Sequence, residues 1–232
     1  MAYPNVECWS ALKSGHRVST GEDGKFYVLS LADCGELLMP TGQLVACDPF
    51  AFMQKTGNRC VAVPAGRYRV LVTLADVSGV GDGSHMREAY ATLLLDETAE
   101  EVSRRIITPV SDGACPPEMT EDGEYIGFPV DAGTACFADQ GALAGGMPDG
   151  NWYEEIFDNG SPDSWFARMD DPEHIRAGLA NIPLPLAKAG ENIAIIHSGW
   201  GDGVYPIVGG YDASGRLIRV HIDFLVVPPD AG

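Results

Sequence analysis

N-I-A-I-I-H-S-G-W-G-D-G-V-Y-P-I-V-G-G-Y-D-A-S-G-R-L-I-R-V-H-I-D-F-L-V-V, residues 192–227, is the stretch whose reading decides the fold class. Residues 193–197 and 204–208 are short apolar runs. From residue 216 onward Ile218, Val220, Ile222, Phe224 and Val226 alternate with Arg219, His221 and Asp223. A period of two predicts a half-buried strand, so the stretch reads as three strands joined by two turns. The first turn, Ser198-Gly199-Trp200-Gly201-Asp202-Gly203, has three glycines that accept backbone angles a side chain forbids. It leaves one indole and one carboxylate projecting, which suits either a ligand loop or a tight turn.

Working outward, the same signals recur. Strands are expected at 25–31, 67–74, 87–95, 124–130 and 134–138, with a looser segment running from the end of the 43–47 strand to 61–63. In the second-clearest of these strands, Tyr68, Val70, Val72 and Leu74 alternate with Arg67, Arg69 and Thr73. Residues 36–39 and 43–47 flank Pro40-Thr41-Gly42 and read as a hairpin, since proline presets one turn angle and glycine accepts the unfavourable one. Short helices are expected at 6–17, at 96–106, where acidic residues precede basic ones, and from Asp171-Pro172 through Leu179.

Hairpin-like spacing of strands argues for a mainly β fold, an antiparallel sandwich or barrel-like single domain over 1–232 with a few short helices. Residues 140–185 turn to Gly, Pro, Asp and Asn. They read as an irregular insertion within that domain, with a single helical turn at 152–157.

The chain has 232 residues, 45% of them hydrophobic, enough for a sizeable core. Fifteen basic against thirty-three acidic residues give a formal charge of -18, which opposes nucleic acid and anionic membranes as partners. The same charge suits a basic protein partner or a cation. No apolar stretch approaches the roughly 20 residues that cross a bilayer. M-A-Y-P-N-V-E-C-W lacks the basic and apolar regions of an export signal, so a cytoplasmic location is expected. Six cysteines form no C-x-x-C pair. They read as reduced, with Cys34, Cys47 and Cys60 as small apolar side chains on successive strands.

Two segments have the composition of a site. V-D-A-G-T-A-C-F-A-D, residues 130–139, presents Asp131, Thr134, Cys136 and Asp139; the glycine-rich loop adds Asp202 and Trp200, with His197 before it and Tyr205 after it. Clustered carboxylates bind a hard cation through oxygen, or act as general acid and base where burial separates their acidities. The competing reading is that Asp131 and Asp202 each accept backbone N–H bonds in their own turns, and that Trp200 plugs the end of the sandwich. A nucleophilic reading would pair Cys136 with His197 or His221. No G-x-S-x-G, H-E-x-x-H, phosphate-loop or dinucleotide motif is present.

Five motifs together resemble a family catalogued as domain of unknown function 4241, found mainly in bacteria. They are T-G-Q-L-V-A-C-D-P (41–49), V-P-A-G-R-Y-R-V (63–70), V-D-A-G-T-A-C-F-A-D (130–139), S-G-W-G-D-G-V-Y-P (198–206) and G-Y-D-A-S-G with the later D-F (210–224). The resemblance implies a single, mostly β domain and brings no activity or catalytic residue with it.

The functional expectation is therefore binding of a small ligand or a divalent cation. Asp131, Asp139 and Asp202 would form the polar centre, Trp200 a wall, and Thr134, His197 and Tyr205 further contacts. The alternatives are an acidic protein-binding module of the immunity or antitoxin kind, and a hydrolase built on the same carboxylates.

Overall fold

The computed structural model describes residues 10–22, 24–111 and 127–228. The chain is mainly β, and its strands pair antiparallel, as expected. A seven-stranded sheet runs β1 (Arg17–Ser19), β2 (Phe26–Met39), β5 (Gly66–Asp76), β6 (Met86–Leu94), β14 (Leu217–Asp223), β13 (Ile207–Tyr211) and β7 (Ser103–Ile107). A five-stranded sheet runs β10 (Leu179–Pro183), β11 (Asn192–His197), β9 (Thr134–Asp139), β3 (Gln43–Cys47) and β4 (Cys60–Ala62). A ribbon of β8 (Phe128–Val130) and β12 (Gly203–Tyr205) completes the β structure among the described residues.

The pleat divides the five-stranded sheet between two cores. Leu44, Ala46, Ala135, Phe137, Ala194 and Ile196 face the seven-stranded sheet, where they pack with Leu29, Leu37, Val70, Val72, Leu93, Val220 and Ile222. The alternate residues Val45, Cys136, Ala138, Ile193 and Ile195 face the other way. They are covered by α1 (Gln140–Gly146), a π-helical turn at Tyr153–Phe157, and α2 (Trp165–Asp170), through Leu143, Met147, Phe157, Trp165 and Met169. Phe50 stacks on Phe166 at 4.3 Å and meets Phe157 edge-on at 5.1 Å, closing this second core. A strand buried on both faces reads as a continuous apolar run, which is why 193–196 lacks alternation.

Several local expectations change. Residues 25–31 and 36–39 belong to one strand, β2, kinked where Gly35 takes φ 82° and the register with β5 shifts between Asp33 and Glu36. Pro40-Thr41-Gly42 does not close a hairpin: β2 pairs with β5, and β3 with β4 and β9, so the turn passes the chain from one sheet to the other. Asp139 holds that crossing through the Thr41 N–H at 3.1 Å and the Thr41 hydroxyl at 2.8 Å. The apolar run 204–208 likewise splits at Pro206 into β12 and β13, in different sheets. The last strand stops at Asp223, before Leu225 at φ 56°.

The helix expected over 96–106 is a loop followed by β7. Asp96 accepts the Thr98 and Ala99 N–H groups in a tight turn, and 103–107 finds partners along β13, so pairing overrides a weak helical preference. No helix forms over 171–179. Asp171 precedes a proline and stays extended at ψ 109°, ending α2 in place of starting a new helix; Ser164 caps α2 by accepting from Ala167. Of the expected helix over 6–17, residues 6–9 lie outside the described residues; 10–16 form turns and Arg17 opens β1. The helical turn expected at 152–157 is present.

Candidate functional site

The loops that follow β8 and β11 meet at one end of the sandwich. The Gly133 N–H donates to Asp202 Oδ1 at 3.1 Å, and the Ser198 N–H donates to the Gly133 carbonyl at 3.0 Å. Asp202 therefore ties one loop to the other, beyond its own turn. Thr134 and His197 face each other directly across β9 and β11. The Tyr205 hydroxyl lies 2.9 Å from the Ser198 carbonyl and 2.7 Å from that of Gly201, bracing the glycine-rich loop from beneath. Gly199, at φ 62°, lies so close to Val226 and the Glu88 carbonyl that a Cβ would collide with both.

Asp131 is exposed, and its N–H is spoken for by a residue the sequence did not single out. Asp48, fully buried, accepts the Asp131 and Ala132 N–H groups on Oδ2 at 2.9 and 2.7 Å. Its Oδ1 accepts Phe50 and Ala51 at 2.9 and 3.2 Å, with the Thr134 hydroxyl at 3.4 Å. One carboxylate thus holds the end of β3, the 131–133 loop and the start of β9 together. Asp139 belongs elsewhere. It sits at the far end of β9, capping α1 through the Ala142 N–H, so the three aspartates of the expected cation centre are not gathered. Among the described residues no group of three or more His, Cys, Asp or Glu side chains is placed to hold a metal ion.

What the loop end does assemble is a different set. In β6 the register slips between Thr73, opposite Tyr90, and Leu74, opposite Glu88, leaving Ala89 as an extra residue. Such bulges re-aim side chains. Here the bulge sets the Glu88 carboxyl, 4% exposed, between the sheets. The position that a Cβ of Gly178 would take is 3.0 Å from Glu88 Oε1 and 2.8 Å from His197 Nδ1, so the two groups flank one gap that only glycine, here at φ 92°, keeps open. The charges of Arg176 and Arg87 act on Glu88, and the Arg87 guanidinium lies 5.3 Å from the Trp200 ring centre. Trp200 itself is 54% exposed and plugs nothing.

The electrostatics follow from burial. Desolvation pushes the Glu88 carboxyl up to about 7, against its own backbone N–H and the charges of Arg176 and Arg87. Burial holds His197 below its ordinary value; Asp170 opposes this, while Arg87 and Arg176 add to it. Neither arginine lies within ion-pairing distance of a carboxylate among the described residues. Arg87 Nε is buried with no hydrogen-bond partner. In a chain of charge -18, these two arginines stand out as cations with no carboxylate at ion-pairing distance among the described residues, with Asp170 the acidic charge that acts on His197.

The signal for Glu88 lay in the sequence: an acid inside M-R-E-A-Y-A-T-L-L, where strand neighbours are apolar. The signal for Arg176 did not, because nothing local marks it.

The nucleophilic arrangement is not assembled. Cys136 Sγ contacts Cys47 Sγ, and His221, 1% exposed, sits in the other sheet with Thr92 on Nδ1 at 2.8 Å and Glu101 on Nε2 at 3.0 Å. This hydroxyl, imidazole and carboxylate chain has the order of a catalytic relay, but Thr92 is fully buried and offers no hydroxyl to a substrate. No helix among the described residues is long and apolar enough to cross a membrane.

Residues 37–222 match the family model described as protein of unknown function (DUF4241). No curated protein and no solved structure matches the chain.

Proposed function

We propose, from the premise that this chain belongs to the DUF4241 family of proteins of unknown function, that it binds a small anionic ligand, a carboxylate or phosphate compound, at the loop end of the sandwich. One observation carries the reading: the buried Glu88 carboxyl, with no side-chain partner, faces His197 across the Gly178 gap beside two arginines that lack carboxylates. Arg87 and Arg176 would take the anion. Glu88 in its neutral form would donate a hydrogen bond, His197 would orient the ligand, and the exposed Trp200 would cover its apolar part. Binding draws on the arginines as charge-assisted donors, each worth roughly 1.5–3 kcal/mol.

Calorimetric titration with a panel of small mono- and dicarboxylates and phosphate esters tests this. The expected result is saturable binding by at least one of them, weakened roughly tenfold or more in Arg176→Ala and in Arg87→Ala, since about 1.4 kcal/mol is a factor of ten. Absence of binding across the panel, or wild-type affinity in both variants, overturns it.

Stability against pH reads Glu88 separately. Its folded value of about 7 lies above the ordinary 4.5, so the native state holds the proton more tightly. That contribution is fully present below pH 4.5 and is lost as pH rises through about 7. His197 acts in the opposite sense: held below 6.5, it favours the native state above that value and loses the contribution as pH falls. The difference between wild type and Glu88→Gln removes the shared background. It should change by on the order of 3 kcal/mol between pH 4 and 8, with the glutamine variant gaining on wild type as pH rises. A flat difference in urea unfolding would place the Glu88 carboxyl in water.

A further inference from the structure

We infer that Cys47 and Cys136 are a thiol pair that closes reversibly into a disulfide across β3 and β9 on reaction with a low-molecular-weight disulfide. The two residues are direct partners in the antiparallel register, and their sulfurs lie 3.8 Å apart. Opposed residues of such strands have Cα atoms about 4.5–5.5 Å apart, within the span a disulfide bridges, so closure needs side-chain rotation and no strand movement.

The other described thiols are excluded by register or by contact. Cys60 sits opposite Val45, two residues from Cys47 along β3, and its Sγ meets the Asn58 carbonyl at 3.4 Å. Cys34 lies in the opposite sheet against the Ala180 carbonyl, with burial pushing its thiol up to about 12. The four described cysteines form no disulfide in this structure.

Exposure sets the order of events. Cys136 is fully buried beneath the helical layer, whereas Cys47 is half-buried and lines a cavity of about 330 Å³ with Phe52, Asn58 and Arg59. The Cys47 thiolate attacks one sulfur of the incoming disulfide, forming a mixed disulfide and expelling one thiolate. The Cys136 thiolate then attacks the Cys47 sulfur, forming the intramolecular bond and expelling the second thiolate. Two electrons pass from the cysteine sulfurs to the external disulfide, and the two cysteine protons end on the two released thiols. The hydrogen bond to Cys136, then burial, hold the Cys47 thiol well above its ordinary value, so exchange is slow near neutrality and accelerates with pH.

The new bond would lock β3 to β9 one residue before Asp48, whose carboxylate anchors the 131–133 loop.

The test is incubation of the folded protein with oxidised glutathione at several pH values, followed by acid quench, alkylation and peptide mapping. The expected result is a link between the Cys47 and Cys136 peptides, a rate rising roughly tenfold per pH unit, reversal by dithiothreitol, and a higher Tm in the oxidised form. Cys60→Ser should leave the link unchanged, and Cys136→Ser should stop at glutathione on Cys47. A Cys47–Cys60 link, a lasting mixed disulfide in the wild type, or reaction only after unfolding in urea overturns the inference. Near-UV circular dichroism of each variant separates lost folding from lost chemistry.

Discussion

Asp48→Ala is expected to lose on the order of 5 kcal/mol of stability, a large part of the roughly 5–15 kcal/mol that holds a domain of ordinary stability together. The carboxylate accepts four backbone N–H groups, those of Phe50, Ala51, Asp131 and Ala132, from two segments far apart in sequence. Alanine removes the fully buried acceptor that these part-buried donors share, at about 1–3 kcal/mol for each group that stays unsatisfied. Relaxation of the loops recovers part of the loss. Asp48→Asn keeps one acceptor oxygen and should fall between alanine and wild type. Urea unfolding gives the magnitude, and hydrogen exchange at Asp131 and Ala132 locates it. If Asp48→Ala unfolds with the wild-type midpoint, the carboxylate does not hold the loop end together.

Glu101→Ala is expected to cost on the order of 3–5 kcal/mol, because it strands buried cations. The loop after β6 lays Glu101, its side chain 3% exposed, onto the outer face of the seven-stranded sheet. There it meets Arg219 at 3.1 Å, His221 at 3.0 Å and Arg104, and Arg219 also bonds the Ala99 carbonyl at 3.1 Å. A Cβ on Gly210 would collide with this carboxylate, so the two positions are coupled.

Burial by itself raises the Glu101 carboxyl; the hydrogen bond from His221, the charge of Arg104 and the hydrogen bond from Arg219 reverse this and hold it at about 2. A carboxylate so depressed stabilises the native state above its ordinary 4.5, and that stability is lost as pH falls through about 2. Burial keeps His221 neutral, which makes Nε2–H the donor to Glu101 and Nδ1 the acceptor from Thr92. Glu101→Gln removes the charge and keeps one acceptor oxygen, enough for Arg219 and His221 but not for Arg104 as well, so its acid unfolding should lose the steep wild-type dependence on pH. An alanine variant within about 1 kcal/mol of wild type in urea would mean that the Glu101 ion pairs are solvated.

These two carboxylates show how far the sequence could be read. The period of two across 216–223 and 67–74 required antiparallel strands with one face buried, because a pleated strand alternates its side chains whatever surrounds it. The turn chemistry of Gly133 and of the 198–203 loop was equally local, and it marked both loops that meet at the candidate site. Local rules also misled. Pro40-Thr41-Gly42 has hairpin composition, yet it joins two sheets, since strand partners are chosen by burial along their whole length and not by the turn between them.

Tertiary structure alone decided the rest. Asp139 and Asp131 are close in sequence, but a six-residue extended strand holds them at opposite ends. Glu88, His197, Arg87 and Arg176 come from three separate parts of the chain and meet only because a bulge in β6 turns one acid toward the gap at Gly178. The sequence by itself determined the strands, the sharp loops and the acidic balance, because period, backbone freedom and charge are properties of neighbours along the chain. Which acids cap turns, which are buried with cations, and which thiols oppose each other depended on sheet order and register, properties that exist only once distant strands have paired.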